Sequence, residues 1–344
     1  MKPYLVDVPV KIDIWTRPEY QERQFNVVKA ARPSILFIQS DGGRNDKEWD
    51  LIRQNRQLIE NGIDWECKVY KLYEDINVGM YAKGLKTLEF IWTKVDRCVF
   101  LEDDIIPAVS FFGFCSELLE KYKDDERIEC ICGSNYVGVN EECDSDYFFS
   151  RRGSVWGFAT WKRVCTGLDS LKYADSRYVY SAVLKNTEYD KYTCKRIEAY
   201  AEKDNLYEGH VPSLEFWFDL LPSLQHQLVI IPKKNMISNI GCDENAAHST
   251  TYNLLPRGIR RVFNMRTYEL SLPIRHPEYV FPDLDYENKK NRIFATNMPI
   301  IQFARKVERM FLLLRYSGVK AFADRLKIII RRKRMLKHNM TTER

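Results

Sequence analysis

No stretch of the 344 residues approaches the roughly 18–20 uncharged apolar residues that crossing a bilayer demands. The most apolar late segments, MFLLL and KIIIR, are broken by Arg and Lys on both sides. The opening segment MKPYLVDVPVKIDIW places a charge inside every short apolar run, so it lacks the uninterrupted apolar region of a secretory signal. The chain is therefore expected in the cytoplasm, dissolved or lying on the inner face of a membrane. It also lacks a CxxC pair, and its nine cysteines are an odd number. They read as small buried hydrophobes in a reducing compartment, not as a disulfide or zinc framework. No internal repeat and no low-complexity segment precedes the C-terminal tail.

What is present is enough apolar material for one large core or two modest ones: 45% of residues are hydrophobic and 13% aromatic. The net charge of +5 conceals an asymmetry. Residues 305–344 hold 13 Lys and Arg against three acids, a balance of +10, which leaves −5 for the rest. A mildly acidic body with a basic tail suits a domain tethered to something anionic, and it argues against nucleic acid spread along a whole face.

Along the chain, apolar β-rich runs alternate with helical spacing. Val10–Trp15 reads as a strand followed by a helix over 19–31. Ser34–Gln39 (SILFIQ) reads as a strand buried on both faces, with a helix over 47–61. Trp65–Leu72 and Arg97–Leu101 repeat the unit around a helix that ends near Trp92. Ser110–Tyr122 is amphipathic, and Arg127–Gly133 returns as a strand. This alternation predicts an α/β fold with a mostly parallel sheet flanked by helices, ligands binding at the carboxyl ends of its strands. Asp41, Asn77 and the triplet Glu102-Asp103-Asp104 fall at such ends. Beyond Gly138 the pattern loosens into an acidic loop, the segment SVWGFATW and a charged, tyrosine-rich helical stretch.

The segment VFLEDDIIP carries the most chemistry, because an apolar strand delivers three consecutive carboxylates at its end. Like charges raise one another's pKa, so the cluster stays ionised only beside a cation. A hard divalent ion such as Mn2+ or Mg2+ takes oxygen ligands and keeps positions open for substrate phosphates. A solvated acidic turn is the alternative reading, weakened here by the buried strand that precedes it.

The stretch 77–135 (NVGMYAKGLKTLEFIW, then CVFLEDDIIP through CICGSN), with VWGFATWKR (155–163) and ISNIGCDENAAHS (237–249), resembles bacterial glycosyltransferases of the GT-A type, relatives of the inverting N-acetylglucosaminyltransferases. The resemblance implies a Rossmann-like domain with a nucleotide-sugar half over 1–135, an acceptor half over 136–300 and a basic helical tail over 301–344. It implies transfer of a sugar from a nucleotide-diphosphate donor, a UDP-sugar being favoured, to a hydroxyl of a glycan or lipid-linked glycan. By the same resemblance Asp104 is the metal ligand, Asp103 contacts the ribose and Glu102 faces the donor sugar. Asp41 matches a base-reading position, for which an ordinary Asp-Gly turn is the alternative. Arg17 lies near the nucleotide and its phosphates, and His248 approaches the metal or the diphosphate, a structural histidine being the alternative.

An inverting mechanism needs a carboxylate to take the acceptor proton. Glu215 in SLEFWFD fits, although relatives often carry Asp in an SWD-type sequence. Asp219, one helical turn on, is the second candidate, and both equally fit ordinary residues near a helix start. Trp156 and Trp161 read as sugar-stacking platforms or as core, Gly157 as a close backbone approach, and Arg151 and Arg152 as phosphate contacts.

In the tail, Ile300, Phe303, Val307, Phe311 and Leu314, then Val319, Phe322, Leu326 and Ile330, keep helical spacing on either side of Ser317-Gly318. Two basic amphipathic helices suit an anionic membrane face; helices packed on the body with their basic side in water are the alternative. A sugar nucleotidyltransferase is a competing reading, disfavoured because WTRPEY offers no Gly-rich basic loop after the first strand. A non-enzymatic adaptor working through the tail is another, and it leaves the carboxylate triplet without a purpose.

Overall fold

Four strand–helix units followed by a further strand set the frame of the molecule, a computed structural model that describes residues 1–166, 173, 175–187, 191–201, 214–242 and 252–342. Side chains are described throughout these except at 80, 81, 192, 199–201, 214, 215, 217, 219 and 329–342. β1 (Val6–Ile14) leads to α1 (Pro18–Ala31), β2 (Pro33–Ser40) to α2 (Asp46–Gly62) and β3 (Lys68–Tyr73) to α3 (Met80–Trp92). β4 (Arg97–Leu101) turns into the short β5 (Ile105–Pro107), then α4 (Ser110–Lys121) leads to β6 (Ile128–Cys132). Local chemistry places several of these ends. Pro18 opens α1, where its missing N–H costs nothing. The Asn45 side chain accepts from Glu48 N at 3.0 Å and caps α2.

The sheet has eight strands in the order β3-β2-β1-β4-β8-β6-β9-β7, with β7 at Tyr147–Ser150, β8 at Phe158–Trp161 and β9 at Leu228–Pro232. β1 to β4 are mutually parallel, as are β6 and β9. β8 lies antiparallel between β4 and β6, and β7 antiparallel on the edge of β9. The chain steps outward from β1 to β3 and then returns to the other side of β1 as β4. That reversal makes the carboxyl ends of β1 and β4 a topological switch point, the place where open α/β sheets bind ligands. The centre of the sheet is closed: Val10, Ile12, Leu36, Phe37, Val99 and Leu101 are fully buried. The nine cysteines are free thiols, with Cys98, Cys115, Cys130 and Cys132 buried, as small hydrophobes would be.

The sequence pattern missed β7 and β8 as sheet members. SVWGFATW is too short and too aromatic to show a period, and pairing with β4 and β6 decides its conformation. The second half adds α5 (Lys162–Cys165), α6 (Arg177–Thr187), α7 (Lys191–Ala201), α8 (Leu214–Gln225), β10 (Ile237–Asn239), α9 (Arg257–Arg260) and α10 (Leu284–Phe294). α6 to α8 share a small separate core of Tyr173, Val183, Ile197, Phe216 and Leu220. α11 (Pro299–Thr342) is interrupted where the sequence has Ser317-Gly318: Gly318 takes φ 82° and ψ 175°, which ends one helix and starts another. Among the described residues no helix is long and apolar enough to cross a membrane.

Candidate functional site

β4 ends at Leu101, and the next residues close a tight turn in which Ile105 N donates to Glu102 O at 3.1 Å. The turn aims Asp103 and Asp104 back toward the end of β1. There the chain leaves Ile14 through Trp15 and Thr16, and Arg17 meets both carboxylates. Its Nη1 donates to Asp104 Oδ2 at 3.2 Å, and its Nε lies 3.4 Å from Asp103 Oδ2. The requirement for a cation beside the triplet is thus met, in part, by a guanidinium. Arg17 is only 9% exposed in its side chain, so this pairing operates at low dielectric.

The turn is also held from beneath by α1. Gln24, fully buried, donates through Nε2 to Ile105 O at 2.8 Å and to Glu102 O. A buried glutamine on the apolar face of a helix is a signal that sequence reading passed over. Burial raises the Asp103 carboxyl from its ordinary 3.8 to about 7. The Arg17 charge opposes that rise, while Asp104 and Asp13 add to it.

A second contact was not foreseen. β10 pairs antiparallel with β5, Asn239 opposite Ile105, and carries the chain straight to Gly241. Ile240 N donates to Asp104 O at 3.0 Å. A Cβ on Gly241 would lie 2.6 Å from Asp104 Cγ, so only glycine allows this approach. The NIGC part of the late motif therefore packs directly on the acidic turn. His248, seven residues on, lies outside the described residues.

At the ends of β2 and β3, Asp41 organises a loop. Its Oδ1 accepts from Gly42 N at 2.9 Å and Val78 N at 3.0 Å, and its Oδ2 from Gly79 N at 3.0 Å and Asn77 Nδ2 at 3.1 Å. The carboxylate thus ties the end of β2 to the 77–79 loop. Arg56, on α2, braces the same strand ends: its Nε donates to Ser40 Oγ at 3.0 Å and its Nη2 to Glu74 O at 3.2 Å. Arg17, Asp41, Asn77, Asp103 and Asp104 thus lie along the carboxyl edge of β1 to β4.

The acceptor-side candidates divide. Gly157, with φ 62°, sits against β5: a Cβ there would fall 3.1 Å from Ile105 Cγ2. Trp156 is half-buried, packed on Tyr136 at 5.9 Å and Phe263 at 5.2 Å between ring centroids. It lines a cavity of 770 Å³ together with Tyr136, Arg152, Phe218, Lys290 and Gln302. Trp161 is different. It is 3% exposed, and its Nε1 donates to Leu119 O at 2.9 Å, so it packs against α4 in the core and offers no face to a sugar. The stacking role read for Trp161 is corrected on that ground. Arg151 is engaged by Glu287, its Nη2 at 2.6 Å from Oε2. Arg152 Nη2 donates to Ser223 Oγ at 3.1 Å. Glu215 and Asp219 lie on α8, and their side chains are outside the described residues; Phe218 of that helix packs on Phe158 at 5.1 Å.

The donor set suits a hard cation sparingly. Among the described residues no group of three or more His, Cys, Asp or Glu is placed to hold a metal ion. Magnesium-type sites commonly use one or two carboxylates and take their remaining ligands from water and substrate phosphate. Asp104, with Asp103 beside it, fits that pattern and does not fit a closed protein cage.

No protein-family model matches the chain, and no curated protein matches it. A solved structure of UDP-glucose pyrophosphorylase complexed with UDP-glucose is similar to it with a TM-score of 0.33 at 9% identity, over 67% of this chain and 93% of that one. A likeness of that depth assigns neither substrate nor reaction.

Proposed function

We propose that the protein is a glycosyltransferase that moves a sugar from a nucleotide-diphosphate sugar, a UDP-sugar being favoured, to a hydroxyl of a glycan or lipid-linked glycan with inversion. The observation that carries the reading is the acidic turn after β4. It holds two carboxylates and a buried guanidinium at the strand ends where strand order reverses. A bound Mn2+ or Mg2+ would neutralise charge on the departing diphosphate.

In this reading Asp104 holds the metal, with His248 as its second candidate ligand. Arg17 shifts its donors toward the phosphates once that charge is present. Asp103 accepts from ribose hydroxyls, Glu102 faces the donor sugar, and the Asp41–Asn77 loop lies against the base. The acceptor rests against Trp156 and the Gly157 backbone. Its hydroxyl oxygen attacks the anomeric carbon, the bond to the phosphate oxygen breaks with its electron pair leaving on the diphosphate, and Glu215 or Asp219 takes the proton.

The reading is tested by donor turnover. Nucleoside diphosphate release from a panel of nucleotide sugars should require added metal and fall at least about a hundredfold in Asp104→Ala. Glu215→Gln and Asp219→Asn then decide the base, since the true base variant loses turnover yet keeps donor binding. Pyrophosphate formed from a nucleoside triphosphate and a sugar 1-phosphate would move the assignment to nucleotidyl transfer.

A further inference from the structure

The first half of α11 has two unlike faces. One is fastened to the body: Leu312 is buried, Arg305 Nη2 donates to Ile293 O at 2.7 Å, and Glu308 Oε1 accepts from Arg257 N at 3.0 Å. Residues 305, 308 and 312 share that side by helical periodicity. Val307, two positions after Arg305, lies roughly 200° around the helix. It belongs to a stripe of Ile300, Phe303, Val307, Phe311 and Leu314, and the first four of these are each more than half exposed. By the same periodicity Lys306 borders the stripe on one side and Arg315 on the other. After the break at Gly318 the pattern resumes with exposed Val319 and Leu326 among Lys320, Arg325 and Lys327.

Isolated exposed apolar residues are ordinary, but a continuous row of Ile, Val and Phe along five helical positions marks an interaction surface. Its charge selects the partner. Residues 305–344 balance to +10, so pairing the stripe with its own copy sets two strongly cationic segments side by side. A nucleic acid would use the cations and leave the phenylalanines in water. An anionic lipid surface accepts both, the apolar row entering the acyl boundary while lysine and arginine stems reach outward to headgroups.

We propose that α11 is a membrane-docking helix that lies in the plane of an anionic bilayer, inserting the Ile300–Leu314 stripe and engaging headgroup phosphates with its flanking lysines and arginines. The fastened face keeps the helix parallel to the body instead of letting it swing free. Its first turn, at Pro299 and Gln302, forms part of the wall of the 770 Å³ cavity that Trp156 lines. Docking therefore holds that cavity close to the headgroups. The inference rests on α11 alone and stands whether or not the chain transfers sugars.

Flotation of the full chain with vesicles tests it, using phosphatidylcholine alone and phosphatidylcholine mixed with phosphatidylglycerol. The wild type should float with the anionic vesicles, lose binding as salt rises, and stay behind with the zwitterionic ones. Phe303→Ser combined with Phe311→Ser, at two exposed positions that leave the fastened face intact, should weaken partition about tenfold or more. Lys306→Glu with Arg315→Glu, which lowers the balance of residues 305–344 from +10 to +6, should weaken binding to the anionic vesicles and make it less sensitive to salt. Failure of the wild type to float, or undiminished flotation of the phenylalanine variant, overturns the proposal. So does a wild-type dimer in light scattering that the phenylalanine variant abolishes without any vesicle binding, which would give the face to a second copy.

Discussion

Arg17 and Asp104, 87 positions apart in the chain, meet at 3.2 Å, and the site depends on what that guanidinium offsets. Asp103 shows what is left uncompensated. Its pKa is higher folded than unfolded, so it adds stability while protonated and loses that contribution as pH climbs from about 4 through about 7. Thermal unfolding of the free protein across that window should show a decline that Asp103→Asn flattens. Asp41 works through geometry instead. Removing its carboxylate leaves Val78 N and Gly79 N without this acceptor, while the Asn77 amide keeps Gly42 O at 2.9 Å, and Asp41→Ala should cost about 1–3 kcal/mol in chemical denaturation. A residue that only read a base would leave the stability of the free protein unchanged. The sequence makes such residues visible as carboxylates at strand ends, but not their partners. Gln24 on the apolar face of its helix and Gly241 in the NIGC segment are visible in the sequence, but what they hold is not, because their partners lie 78 and 137 positions away.

At the scale of elements, the first half was legible because each strand is a compact apolar run followed by an amphipathic helix. β4 falls at Arg97–Leu101 as its residues suggest, and α1 to α4 lie within a residue or two of their sequence bounds. β8 was not legible, since an antiparallel strand inserted between β4 and β6 is fixed by its neighbours. α10 was missed as well, being polar on average and held by the Arg151–Glu287 pair and the Asp283 cap, whose Oδ1 accepts from Tyr286 N at 2.8 Å. Two substitutions test the element-level account. Gly241→Ala drives a methyl into the Asp104 carboxylate and displaces it, so it should cost about 1–3 kcal/mol and weaken donor binding, read by calorimetry with a nucleotide sugar. Trp161→Phe strands Leu119 O between β8 and α4, so it should cost about 1–3 kcal/mol in denaturation while donor affinity is kept, because Trp161 belongs to the core.

Over the whole molecule, charge and shape divide the work. The acidic body carries the acidic turn at the ends of β1 and β4, Trp156 lines a cavity while its neighbour Gly157 packs on Ile105 just after that turn, and the basic helix begins at the cavity's edge. The charge division was readable from the sequence. The cavity was not, because it forms from residues of β6, α7, α8, α10 and α11 that no local spacing connects. The central claim is that the Asp104 turn binds a nucleotide diphosphate with a metal. Thermal unfolding with UDP, GDP, dTDP and CMP, each with and without Mn2+, beside Asp104→Ala, tests it most directly. Ligand at about 100 times its dissociation constant should add roughly 2.7 kcal/mol of stability. Stabilisation by one nucleotide, dependent on metal and lost in the variant, is the expected result; no response to any nucleotide, or an equal response in Asp104→Ala, would contradict a nucleotide site at the Asp104 turn.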